Sequence, residues 1–432
     1  MLKNQALIRH LRLEYIILAS IFIFLFIRFI LPAIGMYSHI NTMMWFDDFK
    51  VYHFAAQNIL NGEIPLSKIY QSSYAGDGHL TYKYSPVWLI LFLPFGLLPV
   101  ALATIIWLGL MALCITLSFW LAGKILNYYH ISYSPLFYLV TLLFLYRPIT
   151  EEYRFGQTDS VLLFLILLSL YFYIQTHKKL LSFLLLAIAI SLKPPAMIFF
   201  LLFFMRKDYK ALLWTTFLFL LSNITSCFLL SPTTHIKLLG DWIYALHASG
   251  SSLLFDIDEH SLFSLLGRYL SEDVYRINIL SLSKPFVIKL TLFLGGLLVA
   301  LTFVLREYYP ASKDFDLFMI NFCILFMLFF SPNTWLANHS MLILPVLLAI
   351  TSLKIILPHF RFFLFPPLMM WITAYAFTHK KTWRIIGHAT HQGEQYVTTI
   401  FKVWSLFSLT LFILLIGLFI ALQQRSSRHL SS

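Results

Sequence analysis

YIILASIFIFLFIRFILPAI, residues 15–34, carries one charge, Arg28, in twenty positions. A helix rises about 1.5 Å per residue, so a run of this length spans the ~30 Å hydrocarbon layer of a bilayer. Ser160–Ile174, Ala211–Leu230 and Val403–Leu422 read the same way, approaching or meeting that length almost without charge. None alternates as a barrel strand would, and backbone amides in lipid must be satisfied within the segment. The fold class is therefore an all-α polytopic membrane protein. Composition agrees: 59% of residues are hydrophobic, 12% are charged and the mean hydropathy is +0.79, where a soluble domain holds about 25% charged residues.

The net charge of +12 does not indicate nucleic acid, because the basic residues fall in short clusters between spans. That pattern is the positive-inside bias of membrane proteins. Cys114, Cys227 and Cys323 lie in apolar segments without paired spacing, so neither a disulfide nor a zinc site is expected. Lys3, Arg9 and Arg12 precede the first apolar run as in a signal peptide. The run is too long for one and lacks a small-residue cleavage site, so it reads as a retained first span.

Spans are expected near 14–34, 101–122, 134–150, 158–176, 211–230, 285–305, 315–331, 338–356, 359–378 and 403–422. Two apolar regions are irregular. Residues 84–98 are short, and 180–205 are broken by Lys193-Pro194-Pro195. Proline removes a helix donor and disfavours helix in the residue before it, so both regions read as half-helices or re-entrant hairpins. With these the bundle comes to about 11–13 transmembrane or re-entrant helices. The whole chain, 1–432, reads as one membrane domain without repeats or a soluble module.

Placing the basic clusters in the cytoplasm gives an orientation. They are the N-terminus, His177-Lys178-Lys179, Arg206 to Lys210, Arg306 to Lys313, His359 to Arg361 and the tail after Arg425. The first long loop, 35–84, the second, 231–284, the segment around Gly156-Gln157, the Lys193 break and Ser331 to His339 then share the outer face. Loop 379–402, with Lys380, Lys381 and Arg384, falls outside against the rule, and the path needs one or three crossings between 84 and 124. Phe49 to Leu60 has helix-compatible spacing for a helix lying along the interface.

Polar blocks on that face are the candidates for chemistry, each with a plainer alternative. Asp47 and Asp48 are adjacent carboxylates among aromatics: a partly desolvated base, or an N-cap for the following helix. Tyr82-Lys83-Tyr84-Ser85-Pro86 places a cation at the interface near a lipid phosphate, or is an aromatic belt with a snorkelling lysine. In Glu151-Glu152-Tyr153-Arg154-Phe155-Gly156-Gln157-Thr158-Asp159 a solvated loop explains the glutamates. It explains Gln157 and Asp159 less well, because a charge against an apolar run needs a partner or a water-filled cavity. Lys193 is an anion contact or a snorkelling lysine. Ser331 to His339, including Trp335, enters a span whose first amides suit an anion, although a lone histidine is more often structural. Asp258-Glu259-His260-Ser261 and Arg268 complete the set. No P-loop, GxSxG, HExxH or glycine-rich nucleotide fingerprint occurs, so a soluble nucleotide donor has no support.

The order of these blocks resembles a family. Asp48-Phe49-x-Val51-Tyr52-x-x-Ala55-Ala56, Gly62 to Tyr70, and Tyr82-Lys83-Tyr84-Ser85-Pro86 leading into Leu93-Pro94-Phe95 and Leu98-Pro99 begin the series. Gly156-Gln157-x-Asp159, Leu192-Lys193-Pro194, Ser261-Leu262 with Arg268, and Ser331-Pro332 to Trp335 and His339 continue it. Across roughly residues 47–345 this is similar to GT87, polyprenol-phosphate-mannose-dependent mannosyltransferases with the GT-C fold. The resemblance implies inverting transfer of a sugar, mannose, from a polyprenyl-phosphate donor to a lipid or glycan acceptor, at the outer face of the plasma membrane. It implies Asp48 as general base with Asp47 as its substitute, and Lys193, Arg154 and Arg268 at the donor phosphate. Tyr52, Lys83, Tyr84, Gln157, Asp159, Trp335 and His339 then position substrate. His260 departs from the family's frequent glutamine. No cofactor is expected, and adjacent aspartates are not a spaced metal pair. The competing reading is a secondary transporter with a midplane site at the broken helices near Lys193.

Overall fold

Helix is the regular structure throughout the described residues of the computed structural model, as a lipid solvent requires. Those residues are 2–40, 45–62, 68–71, 80–176, 178–253, 259–271, 278–308, 313–353 and 406–431. The expected span 359–378, the basic loop 379–402, and Asp256 and Asp258 lie outside them.

Helix α1 (Leu2–Leu25) widens into a π turn, Phe26–Ile30, before α2 (Leu31–Gly35). Pro32 has no amide to continue the ladder, and the extra residue in the turn absorbs that gap. Helix α3 (Asp47–Asn61) follows, ended by Gly62 at φ 69°, the left-handed position that glycine enters without penalty. Next come α4 (Pro86–Gly96), with proline in its first turn, α5 (Val100–Tyr128), α6 (Leu136–Phe155) and α7 (Asp159–Gln175). The lysine–proline break falls where the sequence placed it. Helix α8 (Lys179–Leu192) stops at Lys193, and a 3-10 turn over Pro194–Ile198 leads to α9 (Phe199–Met205). Helix α10 (Tyr209–Leu230) is capped by Asp208, which accepts from the Ala211 amide at 3.1 Å. The second long loop is itself helical, holding α11 (Pro232–Leu253) and α12 (Leu262–Leu270). Helices α13 (Lys284–Tyr308), α14 (Lys313–Phe330), α15 (Ile343–Ser352) and α16 (Leu406–Ser431) complete the described chain.

Among the described residues Ile8–Gly35, Val100–Tyr128 and Lys284–Tyr308 are long and apolar enough to cross a membrane. A fourth span arises if α6 and α7, bent by 117° at their junction, count as one broken helix. Shorter apolar helices, Pro86–Gly96 and Lys179–Leu192 among them, supply the half-helices expected from sequence.

The chain divides into two compact units. The first comprises Met1–Val140, Pro148–Met197 and Asp208–Ser249; the second comprises Thr141–Arg147, Ile198–Lys207 and Gly250–Ser432. In the first, α7 packs along both α5 and α8, α3 lies on α4, and α10 on α8. In the second, α14 packs with α16 and α9, and α12 with α13.

One end of the first unit is held by a buried acid. Glu14, on the first span, is fully buried. It accepts hydrogen bonds from the hydroxyls of Tyr133 and Tyr138, both at 3.0 Å, and meets Lys124 at 3.4 Å. Removed from water, a carboxylate needs such partners. Gly123 makes room for them: a Cβ there would lie 1.9 Å from the Tyr138 hydroxyl and 2.1 Å from that of Tyr133. Gly123→Ala is therefore expected to destabilise the protein by about 1–3 kcal/mol through overpacking. Gly109→Ala, on the same helix with nothing within 4 Å, is the unhindered control and is expected to hold or raise stability. Thermal unfolding of detergent-purified variants measures the difference.

Candidate active site

Helix α3 starts where it does because the chain turns sharply at Phe46, which has φ 63°. The Phe46 amide donates to the carbonyl of Arg154 at 2.7 Å, joining the start of α3 to the last turn of α6. Phe46 takes the N-cap position, so Asp47 and Asp48 fall in the first helical turn and neither side chain caps it. Carboxylates there face the positive end of the helix dipole.

The α6–α7 turn lies directly on this helix start. Gly156 closes α6 at φ 69°, and a Cβ on it would be 2.8 Å from that of Phe49. Its carbonyl accepts from the Trp107 indole at 2.9 Å. Trp107 in turn stacks on Phe49, with ring centroids 5.4 Å apart. Phe92, Phe95 and Tyr52 close the aromatic floor around these two rings. From the turn above it, the Gln157 side chain acts on Asp48 as a hydrogen-bonding group that favours its ionised form. A carboxylate only accepts, so the amide nitrogen is spent on this bond. The amide oxygen is buried without a partner among the described residues.

Two cations and a second acid surround Asp48. Asp159, fully buried at the first position of α7, takes the Lys193 ammonium at 2.6 Å from the end of α8. Lys193 keeps about a quarter of its side-chain surface open. Lys83 is the other cation acting on Asp48. Its segment is tied down on both sides: the Trp242 indole on α11 donates to the Lys83 carbonyl at 3.0 Å, and the Tyr70 hydroxyl to the Tyr84 carbonyl at 2.7 Å. The Tyr84 hydroxyl bridges Tyr52 at 2.9 Å and Thr158 at 3.0 Å.

Burial pushes the Asp48 carboxyl from the ordinary 3.8 up to about 6, with Asp159 adding to the rise. The Gln157 bond and the charges of Lys83 and Lys193 hold it back. A carboxylate so placed is a stronger base than one in water yet is largely ionised near neutrality.

Asp48, Lys83, Tyr84, Gln157, Asp159, Lys193 and Tyr52 thus come together in the first unit. Asp47 instead pairs with Lys50 at 3.3 Å. Arg154 turns to Glu151 at 3.4 Å and over the Phe155 ring, with 53% of its side chain open. In the second unit Arg268, Trp335 and His339 have surroundings of their own. Buried Arg268 donates to the Glu259 carbonyl at 2.7 Å and the Ser264 hydroxyl at 2.5 Å. The Glu259 carboxylate accepts from the Thr334 amide and, at 2.5 Å, from the Trp335 indole. Buried His339 lies 5.5 Å, ring to ring, from His260. Sequence reasoning assigned Thr158 no role beyond its place in the polar block and did not mark Trp107 or Trp242. Each acts through a partner dozens of residues away, and no local pattern marks it.

No curated protein and no solved structure matches the chain. A family model does, over residues 82–332, a stretch that includes Lys83, Tyr84, Gln157, Asp159 and Lys193 and begins after Asp48. With more than half of its length matched, this helical membrane protein belongs to glycosyltransferase family 87.

Proposed function

We propose that this membrane glycosyltransferase moves a hexose, read as mannose, from a polyprenyl-phosphate donor to the hydroxyl of a lipid or glycan acceptor, with inversion at the anomeric carbon. The observation that carries the reading is the half-buried Asp48 carboxylate, on which Gln157 and the charges of Lys83 and Lys193 all act. Asp48 takes the proton of the acceptor hydroxyl as its oxygen bonds the anomeric carbon. The bond from that carbon to the phosphate oxygen breaks on the opposite face, and the polyprenyl phosphate leaves with the electron pair. Lys193 and Lys83 oppose the charge that grows on the leaving phosphate, which such fixed cations stabilise most in the transition state. Asp159 holds the Lys193 ammonium in place. The unpartnered amide oxygen of Gln157 accepts from a sugar or acceptor hydroxyl. Tyr52 works from beneath through Tyr84. A role at the phosphate for Arg154, and Asp47 as the lesser base, belong to the same reading.

The basic clusters support a multi-pass topology with a cytoplasmic N-terminus and this site on the opposite face, in a membrane we read as the plasma membrane. No soluble nucleotide enters the reaction, so the donor reaches the site from the bilayer.

The experiment gives the purified protein a labelled polyprenyl-phosphate mannose and candidate acceptors. Asp48→Asn is expected to lower transfer by about 10²–10⁴-fold, the contribution of a positioned base; full activity in that variant rejects the assignment. Transfer by the wild type should fall as pH drops through about 6, because protonation removes the base. The same variant bears on stability. A carboxyl whose pKa is raised by the fold contributes stability below its unfolded value, and that contribution is lost as pH rises through the folded value. Neutral at every pH, the D48N protein escapes that loss. Its melting temperature should exceed that of the wild type at about pH 7.5, with the gap narrowing toward pH 4.

A further inference from the structure

Glu152 sits in the polar block before the α6–α7 turn, where a solvated loop would expose it, yet it is fully buried. Its backbone carbonyl accepts from the Gly156 amide at 2.8 Å and the Gln157 amide at 3.1 Å. Its carboxylate accepts from the Ser160 amide at 2.6 Å. One residue of α6 thereby holds three amides around the turn and in the first turn of α7. Thr158, the N-cap residue of α7, makes no side-chain cap. The free amides at the start of a helix need an acceptor, and here the preceding helix supplies it.

Three consecutive side chains on the turn so held each meet a different part of the site. Gln157 bonds Asp48, Thr158 bonds the Tyr84 hydroxyl at 3.0 Å, and Asp159 bonds Lys193 at 2.6 Å. Trp107 and Phe49 fix the other side of the turn through Gly156. We infer that Glu152 is a positioning residue of the active site: by capping α7 from α6 it sets the angle at which Gln157 meets Asp48 and Asp159 meets Lys193. It touches no substrate in this arrangement, and the inference rests on Asp48 being the base. The Glu152 charge also acts on Lys193, so geometry and charge must be separated by experiment.

Glu152→Gln keeps an oxygen for the Ser160 amide and loses the charge. Glu152→Asp keeps the charge and falls one methylene short. If position matters, E152Q transfers within about 3-fold of the wild type, whereas E152D loses about 10–100-fold in kcat, the scale expected when reacting groups shift by an ångström. The KM for the donor stays near that of the wild type, because an interaction made only in the transition state has been weakened. The acid limb of the E152D pH profile moves to higher pH, since Asp48 loses a hydrogen bond that favours its charged form. Gln157→Ala moves it in the same direction, and E152D adds little to Q157A, as expected of groups acting through one another.

The inference is overturned if E152Q shifts the acid limb, if E152D leaves it in place, or if the E152D and Q157A effects on kcat multiply independently. Should E152D fail to fold, as judged by thermal unfolding and gel filtration in detergent, Glu152→Ala is read in its place: without an acceptor for the Ser160 amide its acid limb moves to higher pH if the inference holds, and an unmoved limb ends it. Failure of the base assignment looks different, since D48N would then retain full transfer whatever Glu152 does.

Discussion

Lys193 reaches Asp159 across the open end of the α7–α8 hairpin, and the candidate site is arranged around keeping that pair together. Asp159 has no exposed surface. A charge in such a place is tolerated only beside a fixed partner. The partner is fixed because α8 stops at Lys193, whose backbone is extended at φ −134° and ψ 107°, turning the ammonium back over the start of α7. Two prolines then keep the chain from resuming an α-helix at once. The helix break, which weakens the ladder, is thus also what orients the cation.

The same constraint operates at both ends of α5. Near its C-terminal end Lys124 joins Glu14 and two tyrosines. Near its N-terminal end Trp107 carries the turn that leads into Asp159. About 25 Å of helix separates Trp107 from Lys124 at 1.5 Å per residue. A buried acid at each end and close-packed apolar side chains between them make α5 a rigid spacer, against which α3 and the α6–α7 turn are registered. The Asp48 carboxylate then faces Gln157 through backbone bonds that do not depend on its own charge state.

In the second unit a different acid does comparable work. Glu259 gathers the Thr334 amide and the Trp335 indole on its carboxylate, and Arg268 on its carbonyl. These residues stood out in sequence as scattered polar positions in two loops. Their clustering follows from the buried Glu259 side chain, which must find donors close at hand.

Much was legible in the residues alone where the physics is local. Apolar run length established an all-helical membrane protein, proline chemistry located the break at Lys193, and helical spacing anticipated α3 almost to its ends. Motif order pointed to the family that residues 82–332 match. What the residues alone did not disclose is which polar groups are buried. Glu151 to Asp159 read as one polar block, yet Arg154 is half open while Glu152 and Asp159 are sealed. Nor did they disclose that Asp48 meets a glutamine over a hundred residues away. Hydropathy and helix-breaking act within a few residues and are written in the chain. Burial and partner choice depend on surfaces that exist only once Trp107, Phe49 and Gly156 have packed together, and so were decided by the tertiary structure.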